Sequence, residues 1–159
     1  MNKRKILALL NNSEELICFG LMLLICLLVL AQIFFRYVLN NSLVWSEELS
    51  RYSFVWMTFI GTSFIVKRKS HISISFIYNF IPNKIKPIVN IISYCIIILF
   101  FSYLVFYGLK VSIFMYKIGS SAMNIPMFFI YVSIPIGFLL SIYRMIQNTI
   151  FELYKIFKN

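Results

Sequence analysis

Long apolar runs constrain this chain more than any other feature of its sequence. Several of them approach the ~20 residues that a helix needs to cross the hydrocarbon core of a bilayer. Backbone polar groups inside lipid must be paired within the protein, so these runs are expected to be helices. With 61% hydrophobic and only 13% charged residues, the composition is typical of a polytopic membrane protein.

The sequence therefore predicts an all-α membrane protein, with four transmembrane helices and short interfacial amphipathic helices, folded as one membrane domain over residues 1–159. The predicted spans are residues 16–36, 46–66, 88–109 and 126–146. Residues 72–81 are too short to cross a bilayer and end before Pro82, so they are predicted to lie in the membrane plane as an amphipathic helix. A strand also fits their alternation, but a lone strand would leave its backbone unpaired in lipid.

The net charge of +10 does not indicate nucleic-acid binding, because the basic residues stand in short clusters beside the apolar runs. Clusters in these positions anchor helices at the surface of a phospholipid bilayer. Most of them fall on one side of the predicted spans, which places both termini and the loop around His71 in the cytoplasm. That side holds Lys3, Arg4, Lys5, Lys67, Arg68, Lys69, Lys84, Lys86, Arg144, Lys155 and Lys158, and the other holds Arg36, Arg51, Lys110 and Lys117.

The start of the second predicted span, residues 43–61, carries an unusual group of charged and aromatic residues. Ser46 is predicted to cap the helix, which puts Glu47 and Glu48 in its first turn, where the helix dipole favours negative charge. Glu47 and Arg51 are four residues apart and are expected to pair. Beside them runs a stripe at three- and four-residue steps, made of Trp45, Glu48, Tyr52, Trp56 and Phe59.

This cluster is predicted to dock to a partner, because charges so close to the hydrocarbon are unfavourable unless they are paired. The alternative is an ordinary water-facing helix end within an aromatic belt. The fourth span offers a second predicted contact surface, since Ser133, Gly137 and Ser141 form a stripe of small residues that lets another helix approach closely. Pro126 is predicted in the first turn of that span, and Pro135 is predicted to kink it.

The sequence lacks the residues that most catalytic sites need. It contains no Asp, five Glu and a single His, so metal, haem and phosphate-binding constellations cannot be assembled. The middles of the predicted spans are almost entirely apolar, whereas a transporter acting alone needs polar or broken helices there. We therefore expect no catalytic, cofactor or metal site, no enzymatic activity, and a working site that lies in another protein.

Several short motifs occur in order along the chain and at consistent spacing. They are Phe35-Arg36-Tyr37, Ser42-Leu43, Trp45, Glu47-Glu48-Leu49, Arg51, Trp56, Gly61, His71-Ile72, Ile81-Pro82, Ala122-Met123, Ile125-Pro126, Tyr131 and Ile134-Pro135-Ile136-Gly137. Together they resemble the small membrane subunit (DctQ type) of TRAP transporters, the tripartite ATP-independent periplasmic systems, over the first, second and fourth predicted spans. The one departure is the loop after His71-Ile72, where the family usually has an acidic residue and this chain has Ser73 and Ser75.

The resemblance implies a non-catalytic scaffold subunit in the bacterial inner membrane, which braces a large transport subunit of a sodium-coupled importer of organic acids. Sodium and substrate are expected in that large subunit, and an extracytoplasmic binding protein is expected to deliver the substrate. The predicted partner-interface residues are Trp45, Glu47, Glu48, Arg51, Tyr52, Trp56, Ser133, Gly137 and Ser141. Whether Glu47, Glu48 and Arg51 contact the large subunit or the binding protein stays open, as does the identity of the organic acid.

Two other interpretations remain open at this stage. A self-contained multidrug exporter acting as a homodimer would need a carboxylate within the first span, whereas Glu14 and Glu15 lie at its edge. A membrane anchor of a redox enzyme would need haem ligands, usually a His pair, and His71 stands alone.

Overall fold

The computed structural model of the chain describes residues 13–68 and 86–158, and apart from short connections these residues are helical. A single 3₁₀ turn, Met115–Lys117, follows the third long helix. The helices are α1 (Ser13–Tyr37), α2 (Val44–Lys67), α3 (Lys86–Phe114), α4 (Phe128–Tyr131) and α5 (Ser133–Lys158). The interfacial helix predicted over residues 72–81 lies outside the described residues.

Three segments of the described chain are long and apolar enough to cross a membrane: Ser13–Tyr37, Ile88–Lys117 and Phe128–Ile150. These correspond to the first, third and fourth predicted spans. Helix α2 has the required length but is more polar, because Glu47, Glu48 and Arg51 lie in its first turns. The all-α prediction is therefore confirmed for the described residues, while a fourth membrane crossing by α2 stays a prediction.

The four long helices are arranged as a row rather than a closed ring. Extensive contacts join α1 to α2, α2 to α5, and α5 to α3. The short helix α4 packs mainly against α3 and extends the line of α5. Helices α1 and α3 thus flank the row, and both expose large apolar side chains such as Phe19 and Leu99, as expected for surfaces that face lipid or a membrane partner.

The apolar core lies between α2, α3 and α5. Val66, Tyr94, Phe101 and Met145 are buried together there. Phe138 of α5 links this cluster to its surroundings, because its ring lies 4.9 Å from that of Phe101 and 5.7 Å from that of Phe59 (centroid to centroid). Offset and edge-to-face ring pairs at these separations add to the burial of apolar area. The core therefore holds α5 in the middle of the row.

Helices α2 and α5 approach most closely at Gly137. A Cβ atom built on this glycine would lie 2.5 Å from the carbonyl oxygen of Phe59 and 2.6 Å from its Cβ. Ser133 and Ser141, one turn away on either side, are fully buried. The predicted small-residue stripe does admit a neighbouring helix, and that helix is α2 of the same chain.

The last span is interrupted before Pro135. One residue, Val132, separates α4 from α5, and Pro135 has no N–H to donate to the carbonyl of Tyr131, one turn earlier. The helix is thus interrupted three residues before this proline, while the kink predicted at Pro135 stays a prediction. Pro126 was expected within the first turn, which is wrong: α4 begins at Phe128, and Pro126 forms an isolated antiparallel bridge with Gly119.

The contact at Gly137 gives a direct test of the packing. Gly137→Ala should lower the thermal midpoint of the purified protein, because overpacking against the Phe59 backbone costs about 1–3 kcal/mol and exceeds the gain of up to ~1 kcal/mol in helix propensity. Gly20→Ala is the matched control, since a Cβ at Gly20 meets nothing within 4 Å. A thermal midpoint of Gly137→Ala equal to or above that of the unmodified protein would contradict the close approach of α2 and α5.

Candidate functional site

The cluster at the start of α2 is organised around the Glu48 side chain. Helix α2 begins at Val44, two residues before the predicted cap, and Ser46 does not cap it: its hydroxyl donates to the carbonyl of Leu43 at 2.8 Å. The Ser46 capping prediction is therefore wrong, because the chain enters the helix earlier and Ser46 is buried within the first turn. Glu48 lies two residues further on and faces the loop between α3 and α4.

This loop, residues 118–127, is a tight turn closed on itself by Ser120. The Ser120 amide donates to the carbonyl of Ile125 at 2.9 Å, and its hydroxyl accepts from the Ile125 amide at 3.2 Å. Asn124 has a φ of 51°, a left-handed conformation that asparagine tolerates better than most residues. The turn leaves the amides of Ala122 and Met123 pointing in the same direction, toward α2.

Glu48 accepts a hydrogen bond from each of these amides. Its Oε2 atom lies 2.9 Å from the amide nitrogen of Ala122 and 2.9 Å from that of Met123, while its Oε1 atom accepts the hydroxyl of Tyr52. Only 8% of the Glu48 residue is exposed. Two successive amides form a concave cradle for an anion, so Glu48 acts within the chain as the anion that fixes the loop to α2.

Three other residues of the predicted stripe, Tyr52, Trp56 and Phe59, also make contacts within the chain. The Tyr52 hydroxyl lies 3.8 Å from the sulfur of Met127, and the indole N–H of Trp56 donates to the carbonyl of Phe129 at 3.1 Å. Phe59 packs against Phe138 and Gly137. These side chains are half-buried against the loop, α4 and α5 of the same chain, and docking of the stripe to a partner protein stays a prediction.

Three of the predicted interface residues remain on the surface. Arg51 Nη2 donates to Glu47 Oε1 at 2.9 Å, which confirms the predicted pairing at four-residue spacing. Both side chains are more than half exposed, and Trp45 beside them is 45% exposed. By contrast, Glu48, Ser133, Gly137 and Ser141 are buried within the chain. Trp45, Glu47 and Arg51, here called the outer group, are thus the exposed part of the predicted interface, while Tyr52 and Trp56 are half-buried.

At the opposite end of the helices, near the last turns of α2, lies a buried ion pair that the sequence did not reveal. Arg144 Nε of α5 lies 2.9 Å from Glu14 Oε1 and 3.2 Å from Glu14 Oε2 of α1. The Ser63 hydroxyl of α2 donates to Glu14 Oε1 at 3.1 Å, and an amino group of Arg144 donates to Gln147. Both charged side chains are more than nine-tenths buried. Three helices therefore meet at one charged cluster.

Sequence reasoning missed this pair because its members lie 130 residues apart. The available signal was weak: Glu14 is one of only five acidic residues and stands at the edge of an apolar run. A charge in that position is expected to find a partner, yet the basic residues on its side of the membrane offer many candidates. Among residues 13–68 and 86–158, no three His, Cys, Asp or Glu side chains come together as a metal site would require.

The fold and its two charged clusters define a multi-pass membrane protein whose buried polar side chains serve to join its own helices. Residues 25–154 match the family model described as the DctQ component of the tripartite ATP-independent periplasmic transporters. Because this match covers most of the chain, the chain belongs to the DctQ family, and the resemblance seen in its motifs is confirmed. The family consists of transporter components rather than enzymes, and it does not favour the exporter or redox-anchor interpretations.

The chain is similar to several curated relatives. It is 35% identical over 86 residues to the sialic acid TRAP transporter small permease protein SiaQ of Vibrio cholerae, a match that covers 54% of this chain and 50% of that protein. It is 27% identical over 135 residues to the ectoine TRAP transporter small permease protein TeaB of Halomonas elongata, covering 84% and 70%. The chain thus spans about half the length of the first relative and more of the second.

A third relative is a longer protein. The chain is 36% identical over 80 residues to the sialic acid TRAP transporter permease protein SiaT of Haemophilus influenzae. The match covers 50% of this chain but only 13% of that protein. Most of SiaT therefore has no counterpart in this chain.

Removing Arg144 should destabilise the bundle strongly. Arg144→Leu leaves the Glu14 carboxylate buried without its cation, and breaking a buried ion pair in this way costs about 3–5 kcal/mol. Arg68→Leu is the matched control, since Arg68 pairs with Glu15 at 3.3 Å and both side chains are about half exposed; such surface pairs contribute about 0–1 kcal/mol. Denaturation in detergent micelles compares the two variants, and equal losses would contradict the role given to Glu14 and Arg144.

The loop contact gives an independent prediction. Glu48→Ala should increase hydrogen–deuterium exchange at the amides of Ala122 and Met123, because both lose their acceptor. Glu47→Ala, which removes a neighbouring but exposed carboxylate, should leave exchange at these amides unchanged. Unaltered protection in the Glu48 variant would show that another group holds the loop.

Proposed function

We propose that this chain is a non-catalytic small permease subunit of a bacterial TRAP transporter, bracing a large membrane subunit that imports an organic acid together with sodium. The observation that carries this proposal is the open row of helices. A solute pathway has to be enclosed by protein, and a row in which α1 packs on α2, α2 on α5 and α5 on α3 encloses none among the described residues. Transport must then take place in another subunit.

The use of the buried polar groups supports the same conclusion. Transport sites within membranes are built from polar side chains and broken helices that face a cavity. In the described part of this chain, Glu14, Arg144 and Ser63 bind one another, and Glu48 binds the loop of residues 118–127. No buried side-chain nitrogen or oxygen in these residues lacks a hydrogen-bond partner. The buried polar groups of the described residues therefore stabilise the fold of the chain itself.

The relatives support the choice of partner and cargo. The region similar to this chain is a small part of the SiaT permease, which fits a small subunit that works beside a larger one. The relatives are named for sialic acid and ectoine, so small polar solutes carrying a carboxylate are the proposed cargo class. Sodium and substrate sites are proposed for the large subunit, and an extracytoplasmic binding protein is the proposed source of the substrate.

The distribution of Lys and Arg orients the subunit in the cytoplasmic membrane. The positive-inside rule puts both termini and the Glu14–Arg144 cluster near the cytoplasm and the Glu48 cluster at the outer face. The outer group of Trp45, Glu47 and Arg51 then lies where both the large subunit and the binding protein can reach it. Tryptophan and arginine are frequent among residues that dominate the energy of protein interfaces.

Reconstitution tests the proposal. Proteoliposomes should take up a labelled organic acid only when this chain, the large permease subunit and the binding protein are all present, and uptake should require a sodium gradient. A panel of sialic acid, a C4-dicarboxylate and ectoine covers the candidate cargo. Uptake by this chain alone, or undiminished uptake without it, would refute the scaffold function.

Assembly gives a test at the level of residues. Trp45→Ala and Arg51→Ala should each reduce co-purification with the large subunit, with affinity falling about tenfold or more if either residue is an interface hot spot. Phe19→Ala is the control, since Phe19 is 64% exposed but lies on α1, five residues after Glu14 and therefore near the Glu14–Arg144 cluster. Full assembly with reduced binding-protein affinity would assign the outer group to the binding protein instead.

A further inference from the structure

A wedge-shaped cavity of about 300 Å³ opens between α2 and α4 beside the Glu48 cluster. It lies on the side of Val132, the residue that separates α4 from α5, that faces the start of α2. Further along, α5 touches the α2 backbone at Gly137, so the two helices leave no comparable space there. A volume of this size is at the lower end of the range for small-molecule sites.

The lining of the cavity is amphipathic along the bundle. Its deep part is mainly apolar and is formed by Val55 of α2 together with Ile130, Tyr131 and Ile134 of the opposite wall. Its mouth, toward the start of α2, is lined by Glu48, Arg51, Tyr52 and Ser121. The polar mouth lies toward the helix end and the apolar depth toward the middle of the membrane, which is the orientation of a phospholipid in the same leaflet.

The charges at the mouth specify the kind of headgroup. The Arg51 side chain is 67% exposed and gives one amino group to Glu47; surface pairs of this type are weak, so the guanidinium can bind a phosphate bidentately. Glu48 already accepts two amides and the Tyr52 hydroxyl. Glu47 does not line the cavity itself, but its exposed carboxylate lies 2.9 Å from the Arg51 guanidinium, which does. A cation and a carboxylate therefore stand side by side at the mouth, and this arrangement complements a headgroup that carries both charges.

We propose that this cavity binds a zwitterionic phospholipid with an amine headgroup, taken from the surrounding bilayer. The phosphate binds Arg51, the ammonium group binds Glu47, and the first part of one acyl chain lies against Val55, Ile130 and Ile134. A purely anionic headgroup is disfavoured because Glu47 stands four residues from Arg51 and would repel it. The bound lipid would fill the cavity between α2 and α4.

The test uses the full-length protein purified in detergent, stripped of lipid and then titrated with dioleoyl phosphatidylethanolamine, phosphatidylcholine or phosphatidylglycerol. Native mass spectrometry measures the bound lipid. We expect saturable binding, tightest for phosphatidylethanolamine because its ammonium group can hydrogen-bond to Glu47. Equal binding of the three lipids would overturn the proposal.

Two variants locate the binding. Val55→Trp fills the apolar depth and should weaken binding about tenfold or more, whereas Val111→Trp, at an exposed position of α3, should leave it unchanged. Equal binding by both variants overturns the proposed site. Arg51→Gln changes an exposed side chain, so it keeps the test valid if the Val55 variant does not fold, and it should weaken phosphatidylethanolamine binding about tenfold.

The competing occupant is an apolar side chain of the large subunit. In that case lipid titration gives no saturable binding, while a photoreactive residue at position 55 crosslinks to the large subunit, and the lipid proposal is overturned. Because lipid binding is measured on this chain alone, its failure leaves the proposed scaffold function untouched. Loss of transport without loss of lipid binding would likewise separate the two.

Discussion

Two buried carboxylates, Glu14 and Glu48, hold the described helices together near opposite ends of α2. An ionised carboxylate removed from water is strongly unfavourable unless it is neutralised and hydrogen-bonded. Glu14 is neutralised by Arg144 and bonded by Ser63, and Glu48 is bonded by two loop amides and Tyr52. Ser63 and Glu48 are separated by about 22 Å along the helix at 1.5 Å per residue. The remaining architecture is arranged between these two contacts.

Between the two carboxylates, packing depends on one glycine and one proline. Gly137 allows the backbones of α2 and α5 to touch, which fixes the register of the central pair. Pro135 lies three residues after Val132, which separates α4 from α5, and the cavity is lined by Ile130 and Ile134 on the two sides of this interruption. The helices are thus joined near both of their ends and at Gly137 in between. This arrangement fits the proposed bracing role, because it can keep its shape while a neighbouring subunit moves.

Much of the architecture could be predicted from local pattern. Apolar runs predicted helices, four-residue spacing predicted the Glu47–Arg51 pair, and the small residues at 133, 137 and 141 predicted a close helix contact. The failures were also local in origin. Ser46 satisfies the rules for a cap and Pro126 those for a first-turn proline, but both lie where the loops that precede the helices set the actual starting residues. The loop before α4 is shaped by long-range hydrogen bonds from Ala122 and Met123 to Glu48, which local rules do not contain.

By itself, the sequence determined that this protein is helical, lies in a membrane and belongs to the DctQ family, because composition, periodicity and ordered motifs are properties of neighbouring residues. Only the tertiary structure decided which surfaces are internal. It paired Glu14 with Arg144 across 130 residues, gave Glu48 to the loop before α4, and placed α2 against Gly137. The physical reason is that a buried charge or a small-residue stripe requires a partner without specifying which one, and the order in which helices pack makes that choice.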